Sequence, residues 1–303
     1  MMLAGMSLMA LVFFIVALIY PTLPNVSHLQ QYRPKEPLQV FSKEGLLIAE
    51  FGEERRNHVL IKHVPQKMIN AILAIEDRRF FEHPGIDIIG VLRAALKNIS
   101  GQGHEGASTI TMQVARNFFL SSERTFKRKI NEILLAIKIE NSLSKEEILE
   151  LYINQIYLGQ RAFGFSAAAN TYFNKSLAEL NLAESALLAG LPKAPSRYNP
   201  LVNPELAIQR QQAVLRSMLR HGYIDNATYQ IALEEAIDLR DSVSKRELKA
   251  DYVAEMVRQE LYAEFGEGIY TSGLKVFTTI KKRNQIYANR AVQNNFIHYM
   301  IRN

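Results

Sequence analysis

Ala74-Ile75-Glu76-Asp77-Arg78-Arg79-Phe80-Phe81-Glu82-His83-Pro84-Gly85-Ile86-Asp87 is the stretch around which this chain is organised. An apolar helix, Met68 to Ile75, runs straight into ionisable residues mixed with two aromatics, and Pro84-Gly85 breaks the run. A carboxylate at such a border sits half in apolar surroundings, where desolvation raises its pKa toward values useful for proton transfer. By composition alone the same stretch also reads as a helix end with a solvated charged cap.

The 303 residues suffice for one large domain or two ordinary ones. Hydrophobic residues make up 48% and charged ones 22%, which is a globular rather than a disordered composition. The net charge of +6 fits an anionic partner, and nucleic acid, anionic lipid and a phosphorylated substrate all qualify on charge alone. The chain has no cysteine, so disulfides and thiolate metal sites are excluded.

Met1 to Tyr20 carries no charged side chain, and twenty helical residues span roughly 30 Å, the hydrocarbon thickness of a bilayer. No small-residue cleavage site follows it, so residues 1–20 read as an uncleaved transmembrane anchor rather than a signal peptide. Residues 21–60 read as a linker with a β-hairpin over Leu38 to Phe51, turning at Ser42-Lys43-Glu44-Gly45. From Pro65 to Leu239 the helical period dominates, with helices expected at Gln66–Ile75, Ile88–Ile99, Thr109–Phe119, Arg124–Glu140, Lys145–Ile156, Leu182–Leu191, Pro204–Arg220 and Asn226–Ile237. Ser144-Lys145-Glu146-Glu147 is a capping box that fixes one of these starts. Residues 61–240 therefore form the main domain. Residues 241–303 read as a linker, a helix over Lys249–Phe265, a strand over Leu274–Ile280 and a last helix.

Four further stretches bear on chemistry. Gly106-Ala107-Ser108-Thr109-Ile110-Thr111-Met112-Gln113-Val114-Ala115-Arg116-Asn117 leads small residues and hydroxyls into a helix N-terminus, where free N–H groups favour a phosphate or an ordinary cap. Arg128 and Lys129 precede Glu132 by four and three residues, so the three share one helix face, as a solvated salt-bridged face also would. Glu147 to Gly159 and Ala186 to Pro200 follow, and Leu149, Ile153 and Ile156 read as core. Phe118-Phe119-Leu120 is an apolar tip flanked by polar residues, fit either to touch a bilayer or to anchor the core. Two other strings are decoys: Gly101 to Gly106 spells G-x-G-x-x-G but follows a helix, so it reads as a mobile loop near the site rather than a dinucleotide fingerprint, and Ser242-Val243-Ser244-Lys245 spells S-x-x-K by chance, without a later K-T-G. The seven histidines show no metal spacing.

Taken in order, these five stretches resemble the five signatures of the peptidoglycan glycosyltransferases, with Ala107 and Met112 departing from the second. The resemblance covers about Leu38 to Leu239, and Tyr270–Ile280 is similar to the connector leading into the transpeptidase half of class A penicillin-binding proteins. It implies a mainly α, lysozyme-like glycosyltransferase fold with a small membrane-apposed subdomain, preceded by the anchor and hairpin, with the transpeptidase domain absent. The implied reaction is inverting transfer onto lipid II, with Glu76 as general base. Glu132 would assist departure of the pyrophosphate, directly or through a divalent ion (Mg2+ or Mn2+), and no cofactor is otherwise implied. Ser108, Thr109, Gln113, Arg116, Arg124, Arg128 and Lys129 would bind substrate, while Asp77, Phe80 and His83 shape the site. The implied partners are lipid II, the lipid-linked growing glycan, the membrane and other wall-synthesis proteins, not nucleic acid. The implied location is the cell (inner) membrane, single-pass, with the catalytic domain outside the cytoplasm. Two other readings stand beside this one: a glycan-cleaving lytic transglycosylase, and a non-catalytic membrane scaffold.

Overall fold

Alternating side chains build the first element, and one glycine turns it. In the computed structural model, β1 (Leu38–Phe41) pairs antiparallel with β2 (Leu47–Phe51) through a turn in which Gly45 takes φ 81°, a left-handed conformation that costs glycine little. The structure describes residues 14, 17–32, 35–52, 54–99, 106, 108–120, 125–239 and 248–302. The expected anchor falls largely outside them. Among the described residues no helix is long and apolar enough to cross a membrane.

The hairpin does not stand apart as a linker. A strand from the far end of the chain, β5 (Lys275–Phe277), lies parallel to β1 with Val40 opposite Val276, giving a three-stranded sheet in the order β2-β1-β5. The helix Asp251–Phe265 packs on this sheet, and Leu38, Val40, Ile48, Leu248, Ala254 and Ile269 form a second, smaller core between them.

The main core is helical. We label its helices α1 (Gln66–Glu76), α2 (Ile88–Ile99), α3 (Ile110–Phe119), α4 (Phe126–Glu140), α5 (Lys145–Gln155), α6 (Phe165–Phe173), α7 (Leu182–Gly190), α8 (Pro204–Arg220) and α9 (Asn226–Glu234). α1 packs against α7 and α8, and α3 packs against α4 and α5. Two capping boxes, Ser144 with Glu147 and Asn181 with Glu184, start α5 and α7. Thr109, Thr125 and Asp225 cap α3, α4 and α9 by accepting a backbone N–H three residues on. Leu23, Val26 and Leu29 of the segment before the hairpin insert into this same core, so residues expected to be linker are part of its wall.

α6 has no counterpart among the expected helices. Phe165, Ala167, Ala168, Ala169, Thr171, Tyr172 and Phe173 are all buried, and only Ser166 and the exposed Asn170 face outward, a polar stripe too narrow to mark the helical period. Its start turns at Gly164, φ 86°, where a Cβ would lie 2.8 Å from the Asn154 carbonyl oxygen. The short strands β3 (Arg55–Arg56) and β4 (Ala162–Phe163) pair in parallel beside it.

Candidate active site

The turn after α1 is held rigid by a buried acid and imidazole. His83 Nδ1 accepts from the Gly85 N–H at 3.2 Å, which leaves the proton on Nε2 to be donated to Asp77 at 3.0 Å. Asp77 Oδ2 also accepts the Ile110 N–H at 3.0 Å, so one carboxylate joins the turn to the N-terminus of α3. Gly85 (φ 91°) lies so close to α4 that a Cβ would sit 3.0 Å from Glu140 Cγ and 3.1 Å from the Ala136 carbonyl oxygen. Phe80 is wholly buried, with the Lys145 ammonium 4.5 Å from its ring centroid. Asp77, Phe80 and His83 are thus buried in the turn that directly follows Glu76.

Glu76 ends α1. Its Oε2 accepts from Gln113 Nε2 at 2.7 Å, and no hydrogen bond from the described protein reaches Oε1. Part of the residue remains accessible, yet burial raises the carboxyl pKa above its ordinary value. Asp77 adds to the rise, while the Gln113 hydrogen bond and the Arg210 and Arg116 charges oppose it. One oxygen held by a neutral amide and the other unclaimed is the arrangement a proton acceptor needs.

On the other flank of α3 the charges are arranged differently. Glu132, 1% exposed, accepts from Lys129 Nζ at 2.7 Å through Oε1 and from Arg128 Nη1 at 3.2 Å through Oε2. Lys129 Nζ also donates to Ser108 Oγ at 3.0 Å, just before α3. Arg128 Nε is buried and donates to no described group, an unusual state for a buried donor and one an anion would relieve. The solvated face open to the sequence reading is therefore a buried centre at its acid.

Thr109 is placed elsewhere. At 2% exposure it donates to the Gly85 carbonyl oxygen at 2.6 Å and accepts the Met112 N–H at 3.1 Å, so its hydroxyl is committed to capping α3 and to the turn rather than to a substrate. Successive residues of an extended segment point to opposite sides, so Ser108 faces Lys129 while Thr109 faces the core. Arg116, in the last turn of α3, is partly buried near Glu76. Arg124 lies outside the described residues, as do Gly101 to Glu105 and Ser242 to Lys245.

Two residues join the site without having been expected there. Arg210 of α8 donates through Nε to the Gly190 carbonyl oxygen at 3.1 Å and lies in the field of Glu76; burial lowers its pKa. It stands on the α8 stripe that buries Ala207, Gln211 and Val214, and a cation in a core-facing stripe was the signal available. Tyr152 of α5 is wholly buried, its pKa pushed up by burial and then by Glu76. A divalent ion fits poorly at Glu132. Both its oxygens already rest on cations, and no three carboxylate or imidazole groups gather among the described residues. A groove of about 680 Å³ opens away from these residues, lined among others by Lys35, Glu50, Glu54, Arg161 and Tyr270.

The domain is mainly helical, with one oxygen of Glu76 held by Gln113 and both oxygens of Glu132 held by cations, and by comparison it falls in the class of the transglycosylases. The transglycosylase family profile matches residues 44–219, and the chain belongs to that family. It is 52% identical over 290 residues to penicillin-binding protein 1A of Neisseria meningitidis serogroup A, covering 95% of this chain and 36% of that protein. It is 49% identical over 280 residues to the penicillin-binding protein 1A of Pseudomonas aeruginosa, covering 92% of this chain and 34% of that one. The crystal structure of penicillin-binding protein 1A from Haemophilus influenzae superposes with a TM-score of 0.53 at 37% identity, covering 89% of this chain and 31% of that one. The chain thus spans about a third of the length of the curated relatives it matches.

Proposed function

We propose that this chain is a peptidoglycan glycosyltransferase that polymerises lipid II by inverting transfer from a lipid-pyrophosphate-linked glycan. One observation carries the reading: α3 holds the free-oxygen carboxylate of Glu76 through Gln113 on one flank, and its entry meets the Lys129–Glu132–Arg128 cluster through Ser108 on the other. Glu76 Oε1 takes the proton of the incoming sugar's 4-hydroxyl as that oxygen bonds to the anomeric carbon of the donor. The bond from the anomeric carbon to the pyrophosphate breaks, and its electron pair leaves with the phosphate oxygen. Arg128, Lys129 and Arg116 meet the charge that develops there, where fixed cations act with little reorganisation. No step passes through a metal ion.

A lytic enzyme of related fold needs an acid but has no use for a pyrophosphate-binding cluster, and a scaffold needs neither. Incubating the purified chain with radiolabelled lipid II, and separately with isolated glycan strands, divides the three readings. Polymer from the first and intact strands from the second support polymerisation; cleaved strands support the lytic reading, and inertness toward both supports the scaffold.

The membrane belongs to the same proposal. Ile88, Ile89, Leu92 and Leu96 form an apolar face on α2 and are 68%, 61%, 60% and 70% exposed. By contrast Phe118, Phe119 and Leu120 are partly buried against the main core, with His28 edge-on to Phe119 and Tyr32 edge-on to Phe118. Of the two readings of that tip, core anchor is the one this packing supports, and the bilayer contact moves to α2. Changing Leu92 and Leu96 together to Ser should weaken binding to phosphatidylethanolamine/phosphatidylglycerol vesicles several-fold in a sedimentation assay. The melting temperature should hardly change, because both side chains already face outward.

A further inference from the structure

Thr111 carries a hydroxyl into the core that the mechanism above does not use. The residue is 0% exposed, and its Oγ1 donates to Glu140 Oε1 at 2.5 Å. The same carboxylate oxygen accepts from Lys145 Nζ at 2.7 Å, and that ammonium also donates to the His83 carbonyl oxygen at 2.7 Å. Three parts of the chain are thus joined at one oxygen of Glu140: α3 through Thr111, α5 through Lys145 and, by way of Lys145, the turn that follows Glu76. The stem of Glu140 lies against the same turn, where a Cβ on Gly85 would sit 3.0 Å from its Cγ. Valine is β-branched like threonine and brings no hydroxyl that needs a partner, so core filling alone does not call for a threonine here.

Gln113 follows Thr111 by two residues, about 200° round the helix, so the two side chains leave α3 on opposite sides. On one side Gln113 Nε2 donates to Glu76 Oε2 at 2.7 Å; on the other Thr111 is tied to Glu140. We propose, resting on Glu76 as the base, that Thr111 is a positioning residue for the proton transfer. Its bond to Glu140 sets the rotation of α3 about its own axis, and with it the point at which Gln113 holds the Glu76 carboxylate. Lys145 ties the same Glu140 oxygen to the turn after Glu76, so the acid and the amide that holds it are registered against one post. Thr111 and Glu140 make no contact with substrate. A shift of about 1 Å at a reacting group can cost ~10²-fold in rate, so a tether on the far side of the helix bears on turnover.

The test is kcat and KM for lipid II polymerisation by the full chain carrying Thr111→Val, Thr111→Ser, Gln113→Leu or the pair Thr111→Val/Gln113→Leu. Thr111→Val keeps the volume and deletes the donor, whereas Thr111→Ser keeps the donor and loses a methyl group. If the tether aligns Gln113, Thr111→Val lowers kcat about tenfold with KM changed by less than about twofold, and Thr111→Ser stays near wild type. A threonine that only fills the core gives the reverse order, because Thr111→Ser leaves a cavity and Thr111→Val does not. On top of Gln113→Leu, Thr111→Val should add little, since the two act along one route. Turnover lost in Thr111→Ser but kept in Thr111→Val, or losses that multiply in the pair, overturns the proposal. Should Thr111→Val fold poorly, Thr111→Ala against Thr111→Ser isolates the hydroxyl, since both lack the methyl group; equal kcat in those two has the same force. Glu76→Gln run alongside separates the two levels. If it is inactive and Thr111→Val keeps full turnover, only the role of Thr111 falls; if it stays active, the base assignment falls and this inference with it.

Discussion

Glu76 and Glu132 are the same residue type on two flanks of one helix, and their surroundings give them opposite electrostatic lives. Glu76 keeps one oxygen on a neutral amide and the other without a hydrogen-bond partner among the described residues, and burial raises its pKa. Glu132 is more deeply enclosed, yet each of its oxygens rests on a cation. Burial alone therefore does not decide what a carboxylate can do; its partners decide. A group meant to take a proton must be short of donors, and a group meant to hold cations in place must be saturated with them.

The largest expected effect breaks the comparison at its first half. Glu76→Gln keeps the volume and can still accept from Gln113, but cannot take a proton. Polymerisation of lipid II should fall by ~10²–10⁴, the usual cost of losing a general base. Most of the rate surviving would mean that proton transfer runs through another group.

The second effect is smaller and concerns the cations. Arg128→Ala should lower kcat/KM by roughly tenfold to a hundredfold, with Arg128→Lys restoring it in part, because a guanidinium fork matches phosphate oxygens better than an ammonium does. Its melting temperature should drop as well, since Glu132 is buried and loses one of two partners. The sequence alone allowed an exposed ion pair worth ~0–1 kcal/mol and hence little change in melting temperature. Turnover is therefore the deciding measurement: a stability loss with unchanged kcat/KM would return Arg128 to a structural role.

How far these two centres could be read from sequence follows the range of the contacts involved. Arg128, Lys129 and Glu132 lie within one helical turn, and Asp77 to His83 within one loop, so spacing alone puts each set together. Whether an acid is solvated or enclosed depends on what packs over it, and Glu132 could be read either way. Arg210, Tyr152 and the parallel pairing of β1 with β5 depend on segments distant in the chain, which periodicity does not register. Thr109 shows the finest limit. Two adjacent hydroxyls differ in role by the direction each points before α3, and the string of letters is the same for either assignment.

The smallest expected effect sharpens the comparison through stability. The carboxyl of Glu76 is raised in the folded chain above the ordinary Glu value near 4.3. Between that ordinary value and the raised one, the folded state holds more protons than the unfolded state, so stability falls as pH rises through this window. Above the raised value the cost of a desolvated carboxylate is present in full; it fades as pH falls through the ordinary value, and is absent below about pH 3, where both states are neutral. Glu76→Gln removes the cost, so its melting temperature should exceed the wild type's at pH 7.5, by ~2–4 °C for each kcal/mol relieved, and match it at about pH 3. Glu132→Gln should do the reverse at pH 7.5, because it strands two cations that the carboxylate had balanced. Thermal melts of the two variants at the two pH values check this directly. If Glu76→Gln gave the same shift at both pH values, the gain would come from packing, and the two carboxylates would differ less than their hydrogen bonds indicate.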